Sequence, residues 1–316
     1  MPSMFSLIKG EIFKLYKSKS FIIIPLLITT VIGISGYISA DNFNSTKGDW
    51  RKPLEKQVDE DKKLLSEMKK YGDSKYLASI EQNIKINTYY LEKNIPPIEE
   101  TSAIGFIKKY SGITSLISLI TMIYASNMLP KEYTFGTIKM LLIRPITRKK
   151  LLLAKYFSLL ILSIFLYLFT ILLLSVTGFL IYGVDTLHFK TLKILNGQII
   201  EQNILIEIAK HYIFSFLILS AYTALALMIS IIFKSNTASL VTTLIIFTLG
   251  GTISSYFSNK SWSKFLFFRN TDLSSFGINQ EVTANISPMF STFIVLIYTL
   301  IFITLSILFF NKRDFN

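Results

Sequence analysis

The chain has 316 residues, of which 51% are hydrophobic and only 17% charged, with 26 Phe and 16 Tyr, and its mean hydropathy is +0.49. A water-soluble globule cannot hide that much apolar surface, and disorder requires low hydrophobicity, so both classes are excluded. The absence of Cys removes disulfides, thiolate metal sites and cysteine nucleophiles, and the net charge of +13 points to nucleic acid only if the basic residues share a soluble face, which they do not.

Residues 1–19 read as an amphipathic interfacial helix. Phe5, Ile8, Ile12 and Leu15 or Tyr16 recur at helical spacing, while Lys9 and Lys17 are free to snorkel. Six stretches then reach the length of about 20 residues that crosses a hydrocarbon core, with no Asp, Glu, Lys or Arg inside. They are Phe21 to Ala40, Tyr110 to Leu129, Tyr156 to Val184, Tyr212 to Phe233, Ser235 to Asn259, and Val282 to Asn311, the last apolar mainly from Met289 to Phe310. The first is too long, and too far behind a preceding helix, for an ordinary cleaved signal peptide. Divided accordingly, the chain has span 1 at 20–40, an outside insert at 41–104, span 2 at 105–129 and a cytoplasmic segment at 130–155. Span 3 at 156–184, an outside segment at 185–210, span 4 at 211–233 and span 5 at 235–258 follow. An outside aromatic segment at 259–288, span 6 at 289–310 and a tail at 311–316 complete it.

The short flanks set the orientation. Lys9, Lys14, Lys17 and Lys19, then Lys131, Lys139, Arg144, Arg148, Lys149, Lys150 and Lys155, then Lys234, Lys312 and Arg313 fall on one side, expected to be the cytoplasm, opposed there by only Glu11, Glu132 and Asp314. Both termini are therefore expected inside a bacterial plasma membrane, the low cysteine and high Lys, Ile and Asn agreeing. The positive charge is topological, and nucleic acid is not an expected partner. The fold class is an all-α integral membrane protein with six transmembrane helices, an N-terminal interfacial helix and an extracellular helical hairpin.

That hairpin is predicted from Leu54, Val58, Leu65 and Met68 after Pro53, a turn at Gly72-Asp73-Ser74, and Leu77, Ile80, Ile84 and Leu91 before Pro96-Pro97. In the next outside segment, Ile199, Ile200, Ile204 and Ile208 suggest a surface helix. Trp262, Phe265, Phe267 and Phe268 suit an anchor at the outer interface.

Several chemistries lack their residues. The spans carry no fixed charge for ion-driven transport, and His188 and His211 read as interfacial. No metal-ligand cluster, G-x-x-x-x-G-K, G-x-S-x-G or H-E-x-x-H occurs, so no cofactor, no metal and no catalytic residue is expected in this chain. The chain is expected not to be an enzyme, and uphill transport would need a partner that hydrolyses nucleotide.

The segment Lys131 to Lys150 combines a short amphipathic helix, roughly Phe135 to Ile143, with Pro145 as a stop and a basic cluster. Joined directly to two spans, it suits a lever moved by a soluble partner, although any basic loop shares these features. Glu132, Gly136-Thr137, Leu141-Leu142, Pro145, Arg148 and Lys155 resemble the pattern of ABC transporter permeases of the type-2 exporter family, between their second and third spans. The order of elements along the chain is similar too, with an insert as large as in bacterial peptide- and antibiotic-export permeases. The resemblance implies coupling to an ATPase through Glu132, Phe135, Gly136, Thr137, Leu141, Pro145 and Arg148. It also implies pairing with a second, identical or related permease, and two copies of an ATP-binding subunit that carries the ATP and Mg2+.

Spans 2 and 5 are dotted with hydroxyls. Ser115, Ser118, Thr121, Thr242, Thr243, Thr248 and Thr252 suit either close helix packing or the wall of a path for an amphipathic substrate, and the resemblance implies that these spans face the central cavity. Gly250-Gly251 is read as a possible kink. The function expected is the permease subunit of an exporter for a peptide, antibiotic or lipid, with membrane lipid as a further partner and export of, or immunity to, an antimicrobial peptide as the favoured task. The alternative is a non-transporting scaffold or sensor whose extracellular hairpin binds a ligand.

Overall fold

The computed structural model describes residues 3–45, 50–68, 74–97, 102–137, 146–183, 190–195, 198–233, 235–257, 260–271 and 286–312. Helix α1, Met4–Lys17, is capped by Ser3, whose side chain accepts from the Ser6 amide, and it stops at Ser18. Helix α2, Ser20–Ser45, follows almost at once and carries span 1. Its Ile28, Ile32 and Gly36 turn inward; a Cβ on Gly36 would lie 2.6 Å from the Thr177 methyl, so glycine is what lets α2 approach its neighbour.

Helices α3, Arg51–Met68, and α4, Ser74–Lys93, pair as the hairpin expected from their apolar repeats. Beyond them, α5, Ala103–Lys109, is a helix of seven residues capped by Ser102, with its first four residues buried. A 3-10 turn, Ser111–Ile113, separates it from α6, Thr114–Thr134, which carries span 2. Helix α7, Arg148–Tyr182, has 35 residues. At about 1.5 Å each it is roughly 50 Å long, against a hydrocarbon core of about 30 Å, so its first turns project beyond the apolar layer. Helices α8, Ile204–Ile232, α9, Asn236–Tyr256, and α10, Pro288–Lys312, carry spans 4, 5 and 6. Among the described residues, six helices are thus long and apolar enough to cross a membrane, in the all-α architecture that the composition implies.

Helix α8 is the most enclosed of the six and packs between α6 and α10. The main core gathers Ile117, Met122 and Ala125 of α6, Leu159, Leu166 and Leu174 of α7, Leu219 and Leu225 of α8, and Val295 of α10. Because six helices alternate in direction, α1 and the α6–α7 connection lie at one end of the bundle. The α3–α4 pair lies at the other.

Two sequence expectations are corrected at that second end. Of the residues read as a surface helix, Ile199 and Ile200 lie in an antiparallel hairpin, β1 Lys190–Leu195 and β2 Gln198–Asn203, paired from Lys190 with Asn203 to Leu195 with Gln198, while Ile204 and Ile208 are helical but belong to the start of α8. The isoleucine spacing misled because Asn196-Gly197, a dipeptide that favours a two-residue hairpin connection, sits between two short β-branched runs. This hairpin rests on the α3–α4 pair, with Leu192 joining Leu54 and Tyr90 in a separate small core. The aromatic segment also divides. Trp262 and Phe265 are exposed, but Phe267 is buried against the rings of Tyr222, Phe268, Tyr298 and Phe302. Helix α9 is continuous across Gly250-Gly251, and Gly250 makes room for the Phe268 ring, which a Cβ there would overlap.

Candidate functional site

At the end of the bundle that carries α1, four charged side chains from three helices meet. Lys155, on the second turn of α7, is fully buried, its Nζ lying 3.1 Å from Glu11 Oε2 and 2.6 Å from Glu132 Oε1. Lys14 lies on the open side, 2.8 Å from Glu11 Oε1 and 3.2 Å from Glu132 Oε1. Each lysine therefore touches both carboxylates. The set is neutral, as a buried cluster must be to offset its desolvation.

The helices make the pairing obligatory. Glu132 occupies the last turn of α6, where the helix dipole disfavours an anion, and Lys155 is fully buried on α7, where a cation without a partner would be costly. Each needs the other. Glu11 is the acid of an otherwise basic helix and is 5% exposed. Burial alone would push its carboxyl up, but the charges and hydrogen bonds of Lys155 and Lys14 outweigh that and hold it below the ordinary value. For Lys14, burial pulls down, and the two glutamates prevail and raise it. Glu132 Oε2 is buried with no hydrogen-bond partner among the described residues.

The other sequence-predicted coupling residues surround this clasp. Phe135 is 76% exposed, and Gly136 has φ +66°, the left-handed conformation that ends a helix and that an L side chain strains to adopt. Thr137 Oγ1 lies 3.4 Å from the Glu132 carbonyl. Leu141 and Pro145 fall outside the described residues. Arg148 donates from Nη1 to the carbonyls of Phe310, 3.1 Å, and Asn311, 2.8 Å, closing the C-terminal turn of α10 with a charge that suits its dipole. Residues 132 to 148 are thus tied at their ends to α1, α6, α7 and α10.

The hydroxyls of spans 2 and 5 do not share one environment. Ser118, Thr121 and Thr243 are buried and donate to carbonyls one turn back, at 3.1, 2.7 and 2.8 Å. Thr242 is half-buried, and Ser115, Thr248 and Thr252 are exposed. Ser239 Oγ reaches across to the Ser126 carbonyl at 2.7 Å and joins α9 to α6, the packing role that small hydroxyls also allow.

Sequence reasoning missed Glu11 and Lys14 as site residues, and placed Lys155 only in the family pattern. The available signals were one acid in a basic helix and one lysine inside Leu151-Leu152-Leu153-Ala154-Lys155-Tyr156-Phe157. It also missed charge inside a span-bearing helix, because α8 begins at Ile204, before the uncharged stretch. Glu207, 1% exposed, pairs with Lys108 of α5 at 2.9 Å. One turn on, His211 is buried, with Nε2 3.2 Å from the Ser111 carbonyl and 3.3 Å from Thr114 Oγ1. Lys108 also lies 3.4 Å from Thr191 Oγ1, which links this polar seam to the β-hairpin. No group of metal ligands occurs among the described residues.

Residues 74–316 match the family described as "Protein of unknown function (DUF2705)". The chain belongs to that family. Two proteins of Bacillus subtilis (strain 168) are similar to it. "Uncharacterized protein YhcI" is 26% identical over 98% of this chain and 99% of its own length. "Uncharacterized membrane protein YdbK" is 29% identical over 67% of this chain and 82% of its own length. With six helices of spanning length and a membrane-protein relative, this member of the family is a multi-pass membrane protein.

Proposed function

We propose that this DUF2705 protein is the permease subunit of an ATP-driven exporter of the ABC type. It sits in the bacterial plasma membrane with both termini in the cytoplasm and moves an amphipathic peptide, antibiotic or lipid by alternating access. The observation that carries the reading is the clasp of Glu11, Lys14, Glu132 and Lys155, together with the Arg148 cap on α10. The ends of the 132–148 segment are tied to other helices, Glu132 to α1 and α7 and Arg148 to α10, so a load that reaches either end passes to those helices. Force from a soluble partner docked there would tilt spans 2, 3 and 6 together.

On this reading the partner ATPase, in two copies, holds the ATP and Mg2+, and this chain contributes no catalytic group. Ser115, Thr248 and Thr252, exposed in the single chain, would face a second permease and line the path. Thr121 and Thr243 would reach it only when spans 2 and 5 part. The test is to identify a nucleotide-hydrolysing subunit that co-purifies with this chain, co-express the two and reconstitute them in vesicles. The complex should form, hydrolyse ATP and move substrate, whereas Glu132→Ala and Gly136→Trp should assemble less or hydrolyse without transport. Full assembly and coupling in both variants would overturn the reading.

A second reading, a sensor, is supported by the separate core of α3, α4 and β1 and by its link through Lys108 to Glu207. It predicts ligand binding to the hairpin unit and no ATPase partner at the 132–148 segment.

A further inference from the structure

We infer that the outward stripe of α1 is a docking surface for an anionic phospholipid leaflet. Helix α1 has one acid, and the fold turns it inward: Glu11 lies in the clasp with Lys155, and Lys14 leans over the same carboxylates. What remains outside is basic and aromatic. Phe5, Lys9, Phe13, Tyr16, Lys17 and the following Lys19 are all exposed, and no carboxylate lies among them.

Position and charge together identify the occupant. Only Ser18 and Lys19 separate α1 from α2, whose apolar run opens at Phe21, so the stripe stands at the hydrocarbon boundary. Lysines beside aromatic rings are suited to that depth, the rings reaching the acyl boundary and the ammonium groups the headgroups. The Lys17 ammonium already lies 4.8 Å over the Phe13 ring, a geometry that keeps cation and apolar surface on one side. A zwitterionic leaflet would satisfy the rings and leave three positive charges uncompensated, while a leaflet carrying net negative charge satisfies both. The clasp makes the contact consequential, because Glu11 on the opposite face of α1 holds Lys155 and is within one lysine of Glu132. A leaflet that pins α1 therefore steadies the ends of spans 2 and 3.

The absence of cysteine permits a clean reporter. A nitroxide on Gly10→Cys of the full chain, an exposed position where a Cβ meets nothing within 4 Å, would be followed in vesicles of phosphatidylcholine and in vesicles with a large share of phosphatidylglycerol. In the anionic vesicles the label should be immobile and more accessible to oxygen than to an aqueous nickel chelate. The ratio of bound to free signal should fall about five-fold for each of Lys9→Gln and Lys17→Gln, and high salt should weaken it. Neither lysine belongs to the clasp, so both variants should fold. Glu11→Gln should leave the label seated but abolish the rise in melting temperature that anionic lipid gives the parent protein. Equal label behaviour in the two lipids, or no response to the lysine variants, would overturn the inference. A label exposed to water in both would assign the stripe to a soluble protein partner, also against it. None of these readouts requires an ATPase, so the export reading stands or falls separately.

Discussion

The two ends of this molecule are held by opposite strategies. At the α1 end, two lysines and two glutamates form four mutual contacts, each charge facing both opposite charges. At the other end Lys108 meets Glu207 at 2.9 Å and Thr191 Oγ1 at 3.4 Å, with His211 one helical turn on, while a separate wedge of aromatic rings packs Phe267 against Tyr222 of α8 and Tyr298 of α10. The first arrangement is redundant and lies where chain segments leave the bundle. The second runs into the bundle along α6 and α8. A redundant cluster can lose an exposed member cheaply but not its buried hub, whereas a packed seam is most sensitive to shape.

The largest expected effect is therefore Lys155→Met. It leaves two carboxylates facing one half-exposed lysine, and the uncompensated buried charge should cost about 3–5 kcal/mol, read as a loss of melting temperature in nanodiscs. Adding Glu11→Gln and Glu132→Gln to Lys155→Met should restore most of that loss, since a neutral cluster no longer needs its cation. Lys108→Met removes one partner of Glu207, not the hub of a cluster, and Lys108 keeps 10% exposure, so its loss should be smaller, about 3 kcal/mol or less. A Lys108 variant costing more than the Lys155 variant would reverse the comparison.

Shape should matter next, and only at the far end. Gly250→Ala drives a methyl into the Phe268 ring, which is itself wedged between Phe267 and α9, so repacking should cost about 1–3 kcal/mol. Gly251→Ala meets nothing within 4 Å and should be neutral or slightly stabilising. Equal effects from the two neighbours would mean that helix flexibility, and not ring packing, explains the pair.

What the sequence revealed and what it concealed divide along physical lines. Six spans, the α3–α4 pair and the amphipathic α1 follow from composition and period, which act locally. Glu132 and Gly136 were legible as a helix end before a basic turn. The partners of Glu132 were not, because Glu11 and Lys14 stand more than a hundred residues away and only packing brings α1 against α7. Glu207 was concealed for another reason: a search for uncharged stretches stops at Lys210, while the helix continues to Ile204 because Asn203 caps it, accepting from the Leu205 amide at 2.9 Å. The β-hairpin was masked by isoleucines that satisfy two periods at once, and there the turn residues were the better guide.

The smallest expected effect separates the redundant clasp from an ordinary surface ion pair. The Lys14 side chain is half-exposed, so Lys14→Ala should change stability at neutral pH by less than about 1 kcal/mol. Its signature lies in acid. Glu11 titrates below its ordinary 4.5 because Lys155 and Lys14 outweigh its burial. Its contribution is whole above about that value and is lost as pH falls through the lowered native one. Lys14, raised above 10.5 by the glutamates despite burial, contributes below about that value and loses its share only as pH rises through the raised one. Helix α1 should thus stay docked across the neutral range and release in acid. Without Lys14, one of the two cations restraining Glu11 is gone, so release should move to higher pH while neutral stability barely changes. The mobility of a nitroxide at Gly10→Cys, titrated in uncharged lipid, reads this directly. An unmoved acid midpoint would mean that Lys155 alone sets the Glu11 charge, and that the clasp has a single hub.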